Sequence, residues 1–145
     1  ADQPADLGAL VTEVAERYRK LGRELGTGIA SIPALRCKPL MLRRAVANLI
    51  DNALRYAGDS VEVMLRREPG EAVIEVLDRG PGIPDTEMER LKQPFTRLEQ
   101  ARGDSGGSGL GLAIVDRVAR AHGGRFELAQ REGGGLSARL RLPTG

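Results

Sequence analysis

The sequence predicts an α/β (α+β) protein built as a two-layer sandwich, in which three helices cover one face of a mixed, mostly antiparallel sheet. Three observations support this fold class. Apolar residues recur with helical spacing in three long segments, β-rich runs lie between these segments, and the chain of 145 residues has the length of one domain with a single core. We therefore expect one domain over residues 1–145.

The N-terminal part predicts one helix followed by two short strands. A polar segment, residues 1–8, leads into a helical pattern with Leu10, Val14 and Leu21 on one side, and Gly22 ends it. The runs TGIASIP and ALRC then predict two brief strands separated by a turn at Pro33.

The next segment predicts a long helix with asparagines at the edge of its apolar side. Pro39 starts this helix, which extends to about Ala57. Its apolar arc consists of Leu42, Ala45, Val46, Leu49, Ile50, Ala53 and Ala57, and the opposite, solvent-facing residues are Arg44, Asp51 and Arg55. Asn48, Asn52 and Tyr56 are spaced four apart and share one stripe. An amide oxygen suits Mg²⁺ when phosphates bring the negative charge, so Asn52 is a candidate metal ligand; the alternative is a pair of surface amides.

A predicted strand hairpin then ends on an acidic residue. The runs SVEVMLRRE and EAVIEVLD are joined by Pro69-Gly70, and the second run ends at Asp78. The glycines of the following DRGPGI motif allow a planar ligand to approach the backbone closely. An ionised Asp78 only accepts hydrogen bonds and would bind an exocyclic amine such as that of adenine. The alternative is an ordinary acidic turn residue.

The C-terminal part predicts a lid-like loop, a helix and a last hairpin. A short helix over Asp85–Lys92 precedes residues 94–107, which show no periodicity and are expected to be mobile. A third long helix runs from about Gly109 to His122, and RFELAQR and LSARLRL form the final hairpin around three glycines. The run GGSGLGLAIV brings glycines to the start of that helix, where unpaired N–H groups suit phosphate. Neither a Rossmann fingerprint nor a P-loop fits this run.

Composition excludes several function classes. No apolar run approaches the length of a membrane span, and the net charge of +2 is small and dispersed, which argues against a nucleic-acid partner. One cysteine and one histidine cannot build a zinc site, and no G-x-S-x-G motif indicates a serine hydrolase. We expect Cys37 to be a buried, inert thiol and His122 to cap a helix C-terminus as a partly positive imidazole.

Four motifs in order resemble those of a known family. NLIDNALRY resembles the N box, DRGPGI the first glycine box, QPFTR the F box and GGSGLGL the second glycine box of the catalytic and ATP-binding domain of bacterial sensor histidine kinases. The resemblance spans nearly the whole chain and is closest to the EnvZ-type osmosensor branch, on RRAVANLIDNALRY and GGLSARLRLP. It implies the Bergerat ATP-binding fold of the GHKL group, with residues 94–107 as a flexible ATP lid and residues 1–8 as the remnant of a linker from a dimerisation domain.

The resemblance also implies roles for individual residues. Asn52 would bind Mg²⁺, with Asn48 lining the metal side, and Asp78 would bind the adenine amine. Arg97 would contact the transferred phosphate. The positions implied to bind ATP are Asn52, Arg55, Tyr56, Asp78, Gly80, Gly82, Ile83, Phe95, Gly107, Ser108, Gly109, Leu110 and Gly111. Helical geometry instead directs Arg55 to solvent, although a long side chain can curl back.

The function implied is transfer of the γ-phosphoryl group of ATP to a histidine on a separate domain. ATPases of the same fold place a glutamate where this chain has Asn48, and an amide cannot take a proton from water. A neutral imidazole needs no such base. His122 is not followed by the acid that marks the family's phosphoacceptor, so the acceptor is expected elsewhere.

The resemblance implies partners and a location as well. The partners are ATP, the phosphoacceptor-histidine dimerisation domain of the same parent and, indirectly, a response regulator; the fragment itself would be monomeric, without direct membrane contact. Its location would be cytoplasmic, as part of an inner-membrane sensor. Two alternatives remain open at this point: a serine-kinase or anti-sigma-factor relative of the same fold, and a nucleotide-binding module without transfer.

Overall fold

The computed structural model describes residues 2–57, 60–80 and 111–144. In these ranges the elements are β1 Gln3–Ala5, α1 Leu7–Lys20, β2 Leu25–Ile29, β3 Leu35–Cys37, α2 Pro39–Ala57, β4 Val61–Glu68, β5 Glu71–Leu77, α3 Gly111–Ala121, β6 Arg125–Gln130 and β7 Leu136–Pro143. The helix predicted over Asp85–Lys92 and the lid predicted over residues 94–107 lie outside the described residues. None of the helices in the described ranges has the length and apolar character needed to cross a membrane.

Five strands form one mixed sheet in the order β2-β4-β5-β7-β6. The β2–β4 pair is parallel and the other three pairs are antiparallel. The predicted fold class is therefore confirmed. The sequence did not predict β1, which pairs antiparallel with β3 to form a separate two-stranded sheet.

The helices cover one face of the five-stranded sheet and bury a common core. Alternate residues of the central strand β5, Ala72, Ile74 and Val76, pack into this core. The predicted apolar arc of α2 is buried there, apart from the partly exposed Ala57, and its predicted solvent side is exposed. Cys37 is also fully buried, and burial raises the pKa of its thiol, as expected for an inert cysteine.

The first helix differs from its prediction at both ends. It begins at Leu7, because Asp6 caps it by accepting a hydrogen bond from the Ala9 N–H at 3.1 Å, and it ends at Lys20. Leu21 is 77% exposed and does not belong to the buried side. The reason is that Leu21 is the C-cap residue, where the chain leaves the helical path before the positive φ of Gly22.

The sheet face away from the helices is covered by ion pairs. Glu75, on β5, is only 7% exposed and accepts hydrogen bonds from Arg66, Arg139 and Ser137. Burial by itself would raise the pKa of Glu75, but these bonds outweigh it and hold the pKa below its usual range. Arg141 likewise joins β7 to Glu127 and Glu68, each at 2.6 Å.

Helices α2 and α3 lie antiparallel, and His122 joins them at one end. The His122 Nε2 atom accepts a hydrogen bond from the Lys38 N–H at 3.0 Å, and Nδ1 lies 2.8 Å from the Val118 carbonyl oxygen. The Lys38 N–H can only donate, so Nε2 is the acceptor of this bond. The expected capping contact with the helix is present, and a second contact, to the Lys38 N–H, joins the ring to the start of α2.

Candidate functional site

Three of the predicted patches lie at the same end of the sandwich. Lys38 contacts His122 at one end of the α2–α3 pair, whereas Asn48 contacts Gly111 ten residues further along α2. The N-terminus of α3 therefore lies toward the same end of the helix pair as the C-terminus of α2. From there the chain enters β4 at Val61, and Glu62 pairs with Leu77, the residue before Asp78. Asp78, the end of α2 and the start of α3 therefore lie at the same end of the fold, although they are distant in sequence.

Asn48 and Asn52 are four residues apart and share one face of α2, in the half of the helix nearer to this end of the fold. Both are partly buried, and the Asn48 Nδ2 donates a long hydrogen bond of 3.4 Å to the Gly111 carbonyl oxygen. Asn52 lies one helical turn beyond that contact, about 6 Å closer to the end of α2. Among the described residues, no donor or acceptor binds the Asn52 amide. Because residues four apart share a helix face, Asn52 lies on the face of α2 from which Asn48 contacts the start of α3.

Asp78 is a buried carboxylate held by backbone N–H groups. Asp78 is 3% exposed. Its Oδ1 atom accepts hydrogen bonds from the Gly80 N–H at 2.9 Å and the Leu136 N–H at 3.2 Å. Within the described ranges no donor reaches Oδ2. Within that part of the chain, the carboxylate is held through Oδ1 alone.

The environment of Asp78 opposes its ionisation. Burial raises the pKa of Asp78 above its usual value, while the bonds from Gly80 and Leu136 and the positive charge of Arg131 act in the other direction. Leaving a buried acceptor without a partner costs free energy. A ligand that brings a matching donor therefore binds more tightly, and a ligand with a mismatched group binds more weakly. An ionised carboxylate at this point would accept a hydrogen bond from an amine and repel a carbonyl oxygen.

The turn between β6 and β7 contributes to this site, and the sequence analysis missed that role. Gly135 has a φ of +108°, and a Cβ atom there would collide with the Asp78 carbonyl oxygen. Only glycine permits this close approach, which places the neighbouring Leu136 N–H on the Asp78 carboxylate. The three consecutive glycines signalled a turn, but nothing in the local sequence linked them to a residue 57 positions earlier.

The remaining predicted residues are not brought to the site by the described structure. Arg55 is exposed and lines a shallow hollow between α1 and α2 with Tyr18 and Asp51, as its helical position predicts. Its proposed contact with phosphate stays a prediction. Tyr56 belongs to α2, but its side chain is not described. The predicted site residues outside the described ranges are Gly82, Ile83, Phe95, Arg97, Gly107, Ser108, Gly109 and Leu110.

The residues present fit a magnesium–nucleotide ligand. The open Asp78 oxygen suits the amine of a purine, the α3 N-terminus suits phosphate, and the Asn52 amide oxygen is a hard, neutral donor of the kind that Mg²⁺ accepts beside phosphates. The fit rests on the chemistry of these donors and on their common end of the fold.

Comparisons with known proteins show similarity to ATPases and to sensor kinases. Residues 37–145 match the family described as histidine kinase-, DNA gyrase B- and HSP90-like ATPases. The chain is 41% identical to the sensor histidine kinase GtrS of Pseudomonas aeruginosa, covering 97% of this chain and 29% of GtrS. Among solved structures it is similar to the histidine kinase domain of the Escherichia coli osmosensor EnvZ, at 41% identity and a TM-score of 0.76 over 99% of this chain and 89% of that one. It is also similar to ShkA in complex with AMPPNP, at 26% identity and a TM-score of 0.83 over 100% of this chain and 32% of that one.

The chain corresponds to only part of one of these relatives and is equally identical to two of them. The chain spans less than a third of GtrS, so most of that relative has no counterpart here. GtrS and EnvZ are equally identical to this chain, so the similarity is consistent with an EnvZ-type branch without singling it out.

Proposed function

The chain belongs to the family of histidine kinase-, DNA gyrase B- and HSP90-like ATPases, and we propose that it is the catalytic, ATP-binding domain of a sensor histidine kinase. In this proposal it binds Mg²⁺-ATP and presents the γ-phosphoryl group to a histidine on a separate phosphoacceptor domain of its parent. A response regulator would receive the phosphoryl group later. The similar sensor kinases support this assignment.

The observation that carries the proposal is the common location of Asp78, the last turns of α2 and the start of α3. Asp78 would bind the exocyclic amine of adenine through Oδ2, and the α3 N-terminus would lie near the phosphates. Asn52 would hold Mg²⁺, which when bound neutralises part of the phosphate charge. Each group supplies something that the other two lack, and a nucleotide is the ligand that needs all three.

The choice of acceptor follows from what stands at position 48. The Asn48 amide donates to the Gly111 carbonyl oxygen and cannot accept a proton at neutral pH, so a water or hydroxyl nucleophile would find no base there. A neutral imidazole needs none, because one ring nitrogen already carries a nucleophilic lone pair. Rapid ATP hydrolysis is therefore disfavoured relative to transfer to histidine.

His122 does not fit the role of acceptor. It lies at the opposite end of α3 from Gly111, and both of its nitrogens are engaged, one by the Lys38 N–H and one by the Val118 carbonyl. The acceptor is therefore expected on another domain.

The test is phosphotransfer in trans. This domain is mixed with radiolabelled ATP, Mg²⁺ and the separately purified phosphoacceptor segment of its parent, and acid-labile label on that segment is measured. We expect label with the wild type and with His122→Ala. Asn52→Asp should abolish it, because an added negative charge beside the phosphates changes how Mg²⁺ is held.

Two outcomes would contradict the proposal. Label that appears on this domain incubated by itself would place an acceptor within the chain. Loss of transfer in His122→Ala, with ATP binding and thermal stability both intact, would show that the only histidine has a chemical role.

A further inference from the structure

Two arginines connect the end of β5 to the β6–β7 turn in opposite directions. Arg79 lies just after β5, and its Nη1 donates to the carbonyl oxygens of Glu132 at 2.9 Å and Gly134 at 3.0 Å in the turn. Arg131 lies in the turn, and its Nη1 donates to the Asp78 carbonyl oxygen at 3.0 Å. Each segment therefore holds the backbone of the other, and we call this pair the arginine clamp.

The backbone between the clamped segments is also tied directly. The Asp78 N–H donates to the Leu136 carbonyl oxygen at 3.0 Å, and the turn is closed by the Arg131 N–H, which donates to the Gly135 carbonyl oxygen at 3.0 Å. With Gly135 packed against the Asp78 carbonyl, the turn has little freedom to move away from β5. The clamp thus fixes the location of the Leu136 N–H relative to Asp78.

That N–H decides how the Asp78 carboxylate is oriented. A terminal carboxylate rotates about a broad torsion, so its direction depends on the groups that bind it. Oδ1 is bound by Gly80 from its own loop and by Leu136 from the turn, and only the second bond connects it to the body of the sheet. If the turn shifts, Oδ1 loses one of two donors and Oδ2 no longer has a defined direction.

We propose that Arg79 and Arg131 are positioning residues for base selection: they hold the β6–β7 turn so that Asp78 presents Oδ2 in the one direction that accepts the adenine amine. This inference rests on the proposed function, since it requires that Asp78 binds the base. It adds that selectivity for adenine depends on a turn more than 50 residues away in sequence.

A purely structural role for the clamp predicts a different result. The arginine bonds to these backbone carbonyls would then contribute only to stability, and their loss would lower the melting temperature without changing the ratio of ATP to GTP affinity. A positioning role changes that ratio, because a misdirected carboxylate loses its bond to the amine and its repulsion of the guanine carbonyl together.

The experiment measures ATP and GTP binding by calorimetry, with Mg²⁺ present, for Arg79→Ala, Arg131→Ala and the double variant. We expect ATP affinity to fall about 3- to 10-fold in the single variants, the equivalent of one lost hydrogen bond, and the ATP:GTP ratio to fall by at least as much. Arg131→Lys, which can still reach one carbonyl, should recover most of the ratio, and Arg79→Lys, which can replace one of two bonds, should be intermediate. The lysine variants also decide the question if an alanine variant does not fold.

Two controls separate the possible failures. Arg67→Ala removes an exposed arginine of β4 near the opposite end of the sheet and should change neither affinity nor ratio. Asp78→Asn is measured in parallel. If it lowers the ATP:GTP ratio but no clamp variant does, the clamp is structural and this inference is wrong; if Asp78→Asn leaves the ratio unchanged, base recognition by Asp78 fails as well.

Discussion

Replacing Asp78 by asparagine should weaken ATP binding without lowering the stability of the fold. The asparagine keeps the shape of the side chain and an oxygen that can accept the Gly80 and Leu136 N–H bonds. It replaces Oδ2 by an NH₂ group, which only donates. A donor would then face the donor of the adenine amine, so ATP binding must weaken, whereas the same group could pair with a guanine carbonyl.

The magnitude follows from the loss of one hydrogen bond to a buried charged acceptor. Such a loss costs about 1 to 3 kcal/mol, which corresponds to roughly a 5- to 150-fold decrease in ATP affinity. Stability should not fall, because burial raises the pKa of Asp78 in the folded state, so its ionised form is less favourable there than in the unfolded chain. Ionisation of Asp78 therefore lowers the stability of the wild type at neutral pH, and that loss disappears as the pH falls below the folded-state pKa.

The assay combines calorimetry with ATP and GTP and thermal unfolding at pH 7 and in mild acid. We expect Asp78→Asn to bind ATP more weakly, to lose its preference over GTP, and to melt at the wild-type temperature or above it at pH 7. Glu132→Gln is the matched control, since it neutralises an exposed acid in the adjacent turn. An Asp78→Asn protein that binds ATP like the wild type and still excludes GTP would refute the assignment, and a large loss of stability at pH 7 would refute the account of its pKa.

Two further predictions concern stability. Glu75→Gln should destabilise the fold by about 1 to 3 kcal/mol at pH 7, since it breaks bonds from Arg66 and Arg139 to a buried charge. Because the folded-state pKa of Glu75 is lowered, the wild type should lose this advantage in stability as the pH falls below the ordinary glutamate pKa. Denaturant titrations that show the same difference between the two proteins at pH 7 and at pH 3 would contradict the prediction. Cys37 should react with a thiol reagent only when the protein unfolds, since the thiol is fully buried with a raised pKa, and rapid labelling of the native protein at pH 8 would show that the β1–β3 region opens readily.

Several elements were determined by local sequence alone. The bounds of α2 follow from Pro39 at its start and from an apolar arc with helical spacing, and the β4–β5 hairpin follows from two β-rich runs around Pro69-Gly70. The candidates Asn52 and Asp78 were also predictable, because residue type and placement at an element edge or end are local properties. In each case the deciding interactions lie within a few residues along the chain.

Other features were decided only by tertiary structure. The strand β1 has three residues, too few to show a period, and exists because β3 pairs with it. One hydrogen-bond partner of His122 is the N–H of Lys38, 84 positions earlier in the sequence, and nothing at the helix end itself indicates this contact. The buried state of Glu75 depends on arginines from two neighbouring strands.

The orientation of Asp78 belongs to this second group. The sequence identifies an acidic residue at the end of a strand, but which of its oxygens is occupied depends on Leu136, and the location of Leu136 depends on a glycine turn held by Arg79 and Arg131. Hydrogen bonds of this kind join groups that approach each other only after the sheet has formed. Periodicity and residue type can therefore indicate that a residue binds a ligand, while the direction in which it binds is set by the packing of distant segments.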